Sequence, residues 1–387
     1  MAAQLPKVYW ASCDHDEAGH PLQKFRRLVE LTGFLKQLHR GDVVAIKLHM
    51  GEHGNVRYLR PIWARTIADM VKEAGGRPFV TDTTTLYRHK RATLHDYLET
   101  AAMHGYTPES MGCPIIIADG FRNSGTVIRL EGAEYKEVPV AQALYEADAL
   151  VSLAHPTFHP DIPIAGTLKN LGMGGTTKQA KIAMHTKDSA PVYKAERCIG
   201  CWTCIKICPG HAFKVAEGGK RVDFDPAKCL GCGDCVAHCP SGALSIPWDA
   251  DAAVIQRWTL DAAKAVMSTF ASEKIVHLAV GFDFTVPCDC ISASALPAVV
   301  DIGLFASSDG AALDKACWDK AHEVAIYPGS KLDKIAASPE AQPIDLSNDR
   351  ASPLWSRVQP ERFWNEIVPA AGVGSVEYEL VELGPPG

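Results

Sequence analysis

Eight cysteines fall into two runs, Cys198-Ile-Gly-Cys201-Trp-Thr-Cys204-Ile-Lys-Ile-Cys208-Pro209 and, 31 residues later, Cys229-Leu-Gly-Cys232-Gly-Asp-Cys235-Val-Ala-His-Cys239-Pro240. Each run reads C-x2-C-x2-C-x3-C-P, a spacing suited to iron–sulfur chemistry. Three thiolates on one tight loop grip a face of a cubane, and the fourth, on the following turn, reaches the other cluster. The spacing assigns Cys198, Cys201, Cys204 and Cys239 to one [4Fe–4S] cluster and Cys229, Cys232, Cys235 and Cys208 to a second. Structural zinc sites also use C-x2-C pairs, but they need four ligands per metal and have no use for a third cysteine at the same short interval.

Three polar loops hold further groups able to do chemistry. The first is Lys47-Leu-His49-Met-Gly-Glu52-His53, and the second is Thr81-Asp82-Thr83-Thr84-Thr85 with Arg88 and His89 close behind. The third runs from Ala154 to His185 and contains His155, His159, Asp161, Lys169, Asn170, Lys178 and His185. A lone lysine or histidine after a strand is usually a solvated loop residue. Convergence of the three loops on one sheet edge would make a pocket of Lys47, Asp82, His155, His159, Lys169 and His185. Gly172-Met-Gly-Gly-Thr-Thr-Lys178 lacks the Walker spacing, which leaves an anion cradle or a plain flexible turn. Cys288-Asp289-Cys290 could share a metal or a redox role only across a turn, since an extended chain does not bring the two thiols together. Asp309 and Asp314 read as the start and cap of a following helix.

Positioning these loops requires strands alternating with helices. Strands are expected at Val8–Ala11, Val43–Ile46, Phe79–Val80, Ile115–Ala118, Val127–Leu130, Ala149–Leu153, Ile275–Val280 and Ile302–Ala306. Helices are expected at Leu22–Leu38, from Pro61 to the Gly75-Gly76 break, around Thr93–Met103, at Ala252–Phe270 and at Ala311–His322. Such alternation implies an α/β fold, a mostly parallel layered sheet with ligands beyond the carboxyl ends of its strands. Residues 191–247 interrupt the pattern as an inserted small α+β unit. They contain a hairpin around Gly218-Gly219 and a small core of Ile199, Ile207, Val215, Val222, Leu230, Val236, Leu244 and Ile246. So short a unit is marginal without its metals, which couples cluster binding to folding. The expected domains are therefore 1–190 and 248–337 as two parts of one α/β body, 191–247 as the insert, and 338–387 as a linker and C-terminal extension with a strand at Ser375–Glu382.

The chain has 387 residues, 47% hydrophobic and 22% charged, with a net charge of −6. That composition describes an ordinary globular protein with no basic field to hold nucleic acid or an anionic membrane. Nowhere do 18 apolar residues run together, and the start has no apolar core of signal-peptide length, so the expectation is a cytoplasmic protein with neither nucleic acid nor membrane as partner. Thirteen cysteines without a disulfide rhythm agree, and clusters of this kind favour an anaerobic or strongly reducing cell.

Residues 191–247 resemble a two-cluster bacterial-type ferredoxin. The chain as a whole resembles the domain of unknown function 362 family through Ala45-Ile-Lys-Leu48, Ala149-Leu-Val-Ser-Leu-Ala154, Thr167-Leu-Lys-Asn-Leu-Gly172, His185, Cys288-Asp-Cys290 and Ile302–Asp309. That resemblance implies the α/β body with its ferredoxin insert. His159, Lys169 and His185, at intervals of ten and sixteen, are also locally similar to the lactate racemase family. This second resemblance implies a histidine acid–base, a lysine tethering a nickel-pincer nucleotide and a nickel-binding histidine.

Together these readings predict an iron–sulfur redox protein that passes single electrons from a partner protein, through two [4Fe–4S] clusters, to a small-molecule substrate or cofactor in the crevice. That cofactor could be a nucleotide, a flavin or nickel. Lys169 with Lys47 would hold an anionic group, Asp82, His155 and Asn170 would complete the binding site, and His159 and His185 would exchange the proton. The alternatives are a non-catalytic electron carrier or assembly subunit, and a nickel-pincer-type racemase or isomerase.

Overall fold

Short runs rich in β-branched residues form the centre of the molecule, because a strand covered on both faces needs no polar alternation. The computed structural model describes residues 4–187, 189–338, 346–347 and 349–385. Its main sheet has eight strands: β1 (Lys7–Ala11), β2 (Val43–Lys47), β3 (Arg77–Asp82), β4 (Ile115–Ile117), β5 (Ala149–Ala154), β6 (Ile275–Gly281), β7 (Gly303–Ser307) and β8 (Glu379–Glu382). They lie in the order β8-β1-β7-β6-β5-β2-β3-β4. All neighbours pair in parallel except that β7 runs against both β1 and β6. The fold is thus α/β with a mostly parallel sheet. Strands β5 and β6 are adjacent in space although the whole cysteine-rich unit lies between them in sequence.

Helices α1 (Pro21–Leu31), α2 (Pro61–Glu73) and α3 (Leu94–Met103) cover one face. Phe25, Leu28, Trp63, Ile67 and Tyr97 pack there against Val44, Ile46, Val80, Val151 and Leu278. The other face is covered by α4 (Thr167–Gly172), α5 (Lys178–His185), α6 (Ala252–Met267) and α7 (Gly310–Glu323). Leu168, Leu171, Met184, Leu260 and Leu313 meet Ala45, Phe79, Leu150, Ala279 and Phe305 on that side.

Several elements depart from the pattern read in the sequence. The helix expected through Leu38 stops at Leu31, and Gly33, at φ 75°, turns the chain into a 3-10 segment over Phe34–Gln37. The strand expected near Val127–Leu130 lies outside the main sheet, in a hairpin of Gly125–Arg129 with Glu137–Ala141. Its partner carries Pro139 and escaped notice for that reason. Part of the stretch read as a linker, 339–345 and 348, lies outside the described residues. Residues 349–358 pack on the body: Ala351, Leu354 and Val358 are buried, and the Arg350 guanidinium donates to the carbonyls of Ala321 and Val324.

In the cysteine-rich unit, Phe213–Val215 pairs with Val222–Phe224 around left-handed Gly218 and Gly219. The core differs from the one expected, since Ile199, Val215 and Leu230 are exposed. Ala212, Phe213, Val222, Cys235, Val236, Leu244 and Ile246 pack instead against Leu86 and Ile182 of the body. No helix among the described residues is long and apolar enough to cross a membrane.

Candidate functional site

Parallel strands aim their carboxyl ends the same way, so the loops after β2, β3, β5 and β6 converge at one edge of the sheet. They enclose a cavity of about 400 Å3 whose walls include Lys47, Asp82, His155, His159, Lys169, Asn170 and His185. His49, Glu52, Tyr87, Arg91, Lys181, Trp248, Cys288 and Cys290 line it too.

The floor is a closed polar network. Lys47, fully buried at the end of β2, ion-pairs Asp82 at 2.9 Å and donates to Asn170 Oδ1 at 2.7 Å. The Asn170 amide returns hydrogen bonds to the Lys47 carbonyl and to Ser152 Oγ. Asp82 also accepts the Tyr97 hydroxyl and lies 3.9 Å from Arg91. Arg91 binds Glu52 at 2.9 Å and the Tyr87 hydroxyl at 2.6 Å. Burial pulls the Lys47 amine below its usual range, with Asp82 opposing the shift. Such a network locks Lys47 and Asn170 in place, and Lys169 stands outside it as a second cation of the crevice.

The histidines differ in what their ring nitrogens are free to do. His155 is committed on both sides: Nδ1 meets Asp289 Oδ2 at 2.8 Å and Nε2 meets the Phe282 carbonyl at 2.5 Å. Burial opposes its charge, yet Asp289 and the carbonyl hold its pKa above the ordinary value. Both nitrogens are spent on the protein, so His155 fixes the loop rather than offering a ligand nitrogen. His159 Nδ1 accepts the Asp161 amide at 3.1 Å, which places the neutral ring's proton on Nε2. His185 is the reverse. Its Nδ1 donates to the Lys181 carbonyl at 2.7 Å, its ring meets Trp248 edge-on at 5.1 Å, and burial pushes its pKa down to about 4, leaving a bare Nε2. In His49, Nδ1 accepts the Gly51 amide, and Nε2 has no partner among the described residues.

The loop after β6 supplies the turn that Cys288 and Cys290 need. The Ile291 amide donates to the Cys288 carbonyl at 3.1 Å, and the two sulfurs lie 2.6 Å apart. Lys169 Nζ stands 3.9 Å from Cys288 Sγ. The hydrogen bond from Cys288, followed by Lys169 and His159, draws the Cys290 thiol well below its usual pKa.

Lysine 169 owes its place to a residue far away in sequence. Asp314 on α7 accepts the amides of Thr167 and Leu168 at 2.6 and 2.9 Å, capping α4 across the fold. A Cβ on Gly166 would sit 2.2 Å from the same carboxylate. Asp309 does cap α7, through the Ala311 and Ala312 amides, whereas Asp314 serves the other helix. The glycine run packs closely against its neighbours. A Cβ on Gly172 would reach the Thr259 carbonyl at 2.1 Å, and one on Gly174 would reach Lys47 Nζ at 2.5 Å.

Two smaller cavities lie in the cysteine-rich unit. One is lined by Cys198, Cys201, Cys204 and Cys239, the other by Cys208, Cys229, Cys232 and Cys235. The two runs share a backbone trace, left-handed at Gly200 and Trp202 in the first and at Gly231 and Gly233 in the second. Amides of Ala212 and Gly231 donate to the sulfurs of Cys208 and Cys229 at 3.3 and 3.4 Å. Thiolate donors with backbone N–H support are the surroundings an iron–sulfur cluster takes.

Helix α5 joins these cavities to the crevice. Lys178 pairs with Asp234 at 3.5 Å in a buried contact, and Ile182 enters the core around Cys235. Lys181 and His185 of the same helix line the crevice, so one stripe of α5, at i, i+3, i+4 and i+7, touches both the crevice and the cysteine-rich unit.

Lys181 donates to Thr83 Oγ1 and the Thr84 carbonyl, both at 2.6 Å, and burial brings its pKa down to about 7. An unfolded lysine holds its proton to pH about 10.5, so between these values the unfolded chain binds more protons. Stability should therefore rise with pH from roughly 7 to 10.5, by up to about 1.4 kcal/mol per unit from this group, and be lowest below 7. Lys181→Met is expected to flatten that rise in denaturant unfolding followed by tryptophan fluorescence. An unchanged slope would remove Lys181 from the balance.

Arg91, Lys181 and Glu52 were not among the residues expected to matter. As single charged residues they carry no spacing signal, and only the position of Glu52 in the first polar loop hinted at it.

No curated protein matches this chain. Among solved structures, the lactate racemase apoprotein from Thermoanaerobacterium thermosaccharolyticum is similar at 14% sequence identity and a TM-score of 0.37, over 82% of this chain and 58% of that one. This chain therefore spans less than two thirds of that structure's length. Residues 44–319 match the family model described as "Domain of unknown function (DUF362)", and the chain belongs to that family.

Proposed function

We propose that this protein is an iron–sulfur oxidoreductase in which two [4Fe–4S] clusters feed electrons to a small molecule bound in the crevice. The observation that carries the reading is the grouping of the eight cysteines, four around each of two cavities, with one stripe of α5 both packed against the cysteine-rich unit and lining the crevice. Bound clusters would supply single electrons at low potential. The chain's own residues do the rest. Lys169 attracts an anionic group, Lys47 and Asn170 hold the floor rigid, His159 donates a hydrogen bond from Nε2, and the bare Nε2 of His185 accepts a proton. The donor of electrons would be a redox partner protein reaching the exposed Cys201 side of the unit.

The test is anaerobic. With the clusters reduced, small carboxylates, nucleoside phosphates and flavins are added singly while the visible absorbance is followed. A compound reduced in the crevice should restore the oxidised spectrum in the wild type at least about tenfold faster than in Lys169→Ala, with iron content equal in both. Equal rates for every compound would take the crevice out of the reaction.

A second reading rests on His185, whose tautomer is the one metal-binding histidines adopt, with the far nitrogen donating to a carbonyl. A nickel-pincer-type racemase or isomerase would show added mass on Lys169 and nickel beside iron. An intact mass equal to that of the bare chain, without nickel, would exclude it.

A further inference from the structure

We infer that Cys288 and Cys290 form a reversible dithiol–disulfide couple that collects electrons in pairs in the wall of the crevice. This inference rests on the iron–sulfur reading above and names a group in the crevice that can take up the electrons.

The geometry of the turn brings the two thiols together. Its sulfurs stand 2.6 Å apart, inside van der Waals contact and close to the covalent separation of about 2.05 Å, so a bond requires only a small side-chain rotation. The turn is clamped on three sides: the Glu52 amide donates to the Asp289 carbonyl at 3.1 Å, the Tyr87 hydroxyl to the Cys290 carbonyl at 2.9 Å, and His155 holds the Asp289 carboxylate. A backbone fixed in this way keeps the two sulfurs facing each other in either state.

Each sulfur also has a polar partner. The Cys290 sulfur has the His159 ring beside it and the Cys288 sulfur has Lys169. In the reducing direction the S–S bond breaks and each sulfur gains one electron and one proton. The two electrons come one at a time from two reduced iron–sulfur clusters, each of which is oxidised by one electron. Both protons come from solvent through the crevice, one of them by way of the Lys169 ammonium, while His159 Nε2–H donates a hydrogen bond to the Cys290 sulfur. In the other direction the dithiol yields two electrons and two protons, and the S–S bond forms again.

Metal binding by the same groups is the rival, because the ligand atoms of His159, Cys288 and Cys290 lie within 4.8 Å of one another. The histidine points the other way. A metal-binding imidazole needs a bare nitrogen toward the metal and usually donates its far N–H. The far nitrogen of His159 instead accepts the Asp161 amide, which leaves a hydrogen on the near one.

The experiment uses the full-length protein, prepared anaerobically. After oxidation with diamide, alkylation and digestion, the peptide containing both cysteines should carry a disulfide. A coulometric titration should consume about four electrons per chain, about two for the clusters and about two for the couple. Cys288→Ser and Cys290→Ser should each consume about two electrons with unchanged iron. Both cysteines alkylated after diamide, with about two electrons consumed by the wild type, would overturn the couple. So would a metal other than iron that is held by the wild type and lost from Cys290→Ser. A disulfide found in protein that holds no iron would support the couple and count against the clusters, so the two readings fail separately.

Discussion

Asp82→Ala is expected to lower the unfolding free energy by about 3–5 kcal/mol, measured by denaturant unfolding of the anaerobic protein. Asp82 is the counter-charge of Lys47, an amine with no solvent exposure, and its other oxygen accepts the Tyr97 hydroxyl. Its removal leaves a desolvated ammonium that must either stay charged without a partner or lose its proton. Adding Lys47→Met should recover much of the loss, because the stranded charge then disappears. A single-variant loss below about 1 kcal/mol would mean that the floor tolerates an unpaired lysine and is less rigid than the geometry indicates.

The second large effect concerns the fourth cysteine of each run. Cys208 lines the cavity of Cys229, Cys232 and Cys235, and Cys239 lines that of Cys198, Cys201 and Cys204. Cys208→Ala should therefore lower iron from about eight to about four per chain and open Cys229, Cys232 and Cys235 to alkylation. Cys239→Ala should remove the same amount of iron and expose the other three. If Cys208→Ala instead exposed Cys198, Cys201 and Cys204, each run would bind its own cluster and the crossing would be wrong.

Residues bound by local spacing were the most legible in the sequence. The grouping of the eight cysteines follows from intervals of two and three residues, and the structure gathers them into the same two sets of four. The crevice was legible at one remove, since a parallel sheet delivers the ends of β2, β3 and β5 to one edge whatever the loops contain. What could not be read depends on contacts between distant segments. Asp314 caps α4 from 146 residues away, and the turn at Cys288 is held by Glu52 and Tyr87, more than 200 residues earlier. The role of His155 was misleading for the same reason, because its carboxylate partner, Asp289, lies on another strand's loop. Hydrophobicity alone likewise placed Ile199 and Leu230 inside, whereas Leu86 and Ile182 of the body fill that core.

The most direct measurement is a count of iron and acid-labile sulfide in protein purified without oxygen. About eight of each per chain are expected, in a brown sample that bleaches on reduction. A colourless protein holding zinc, or no metal at all, would contradict the iron–sulfur reading.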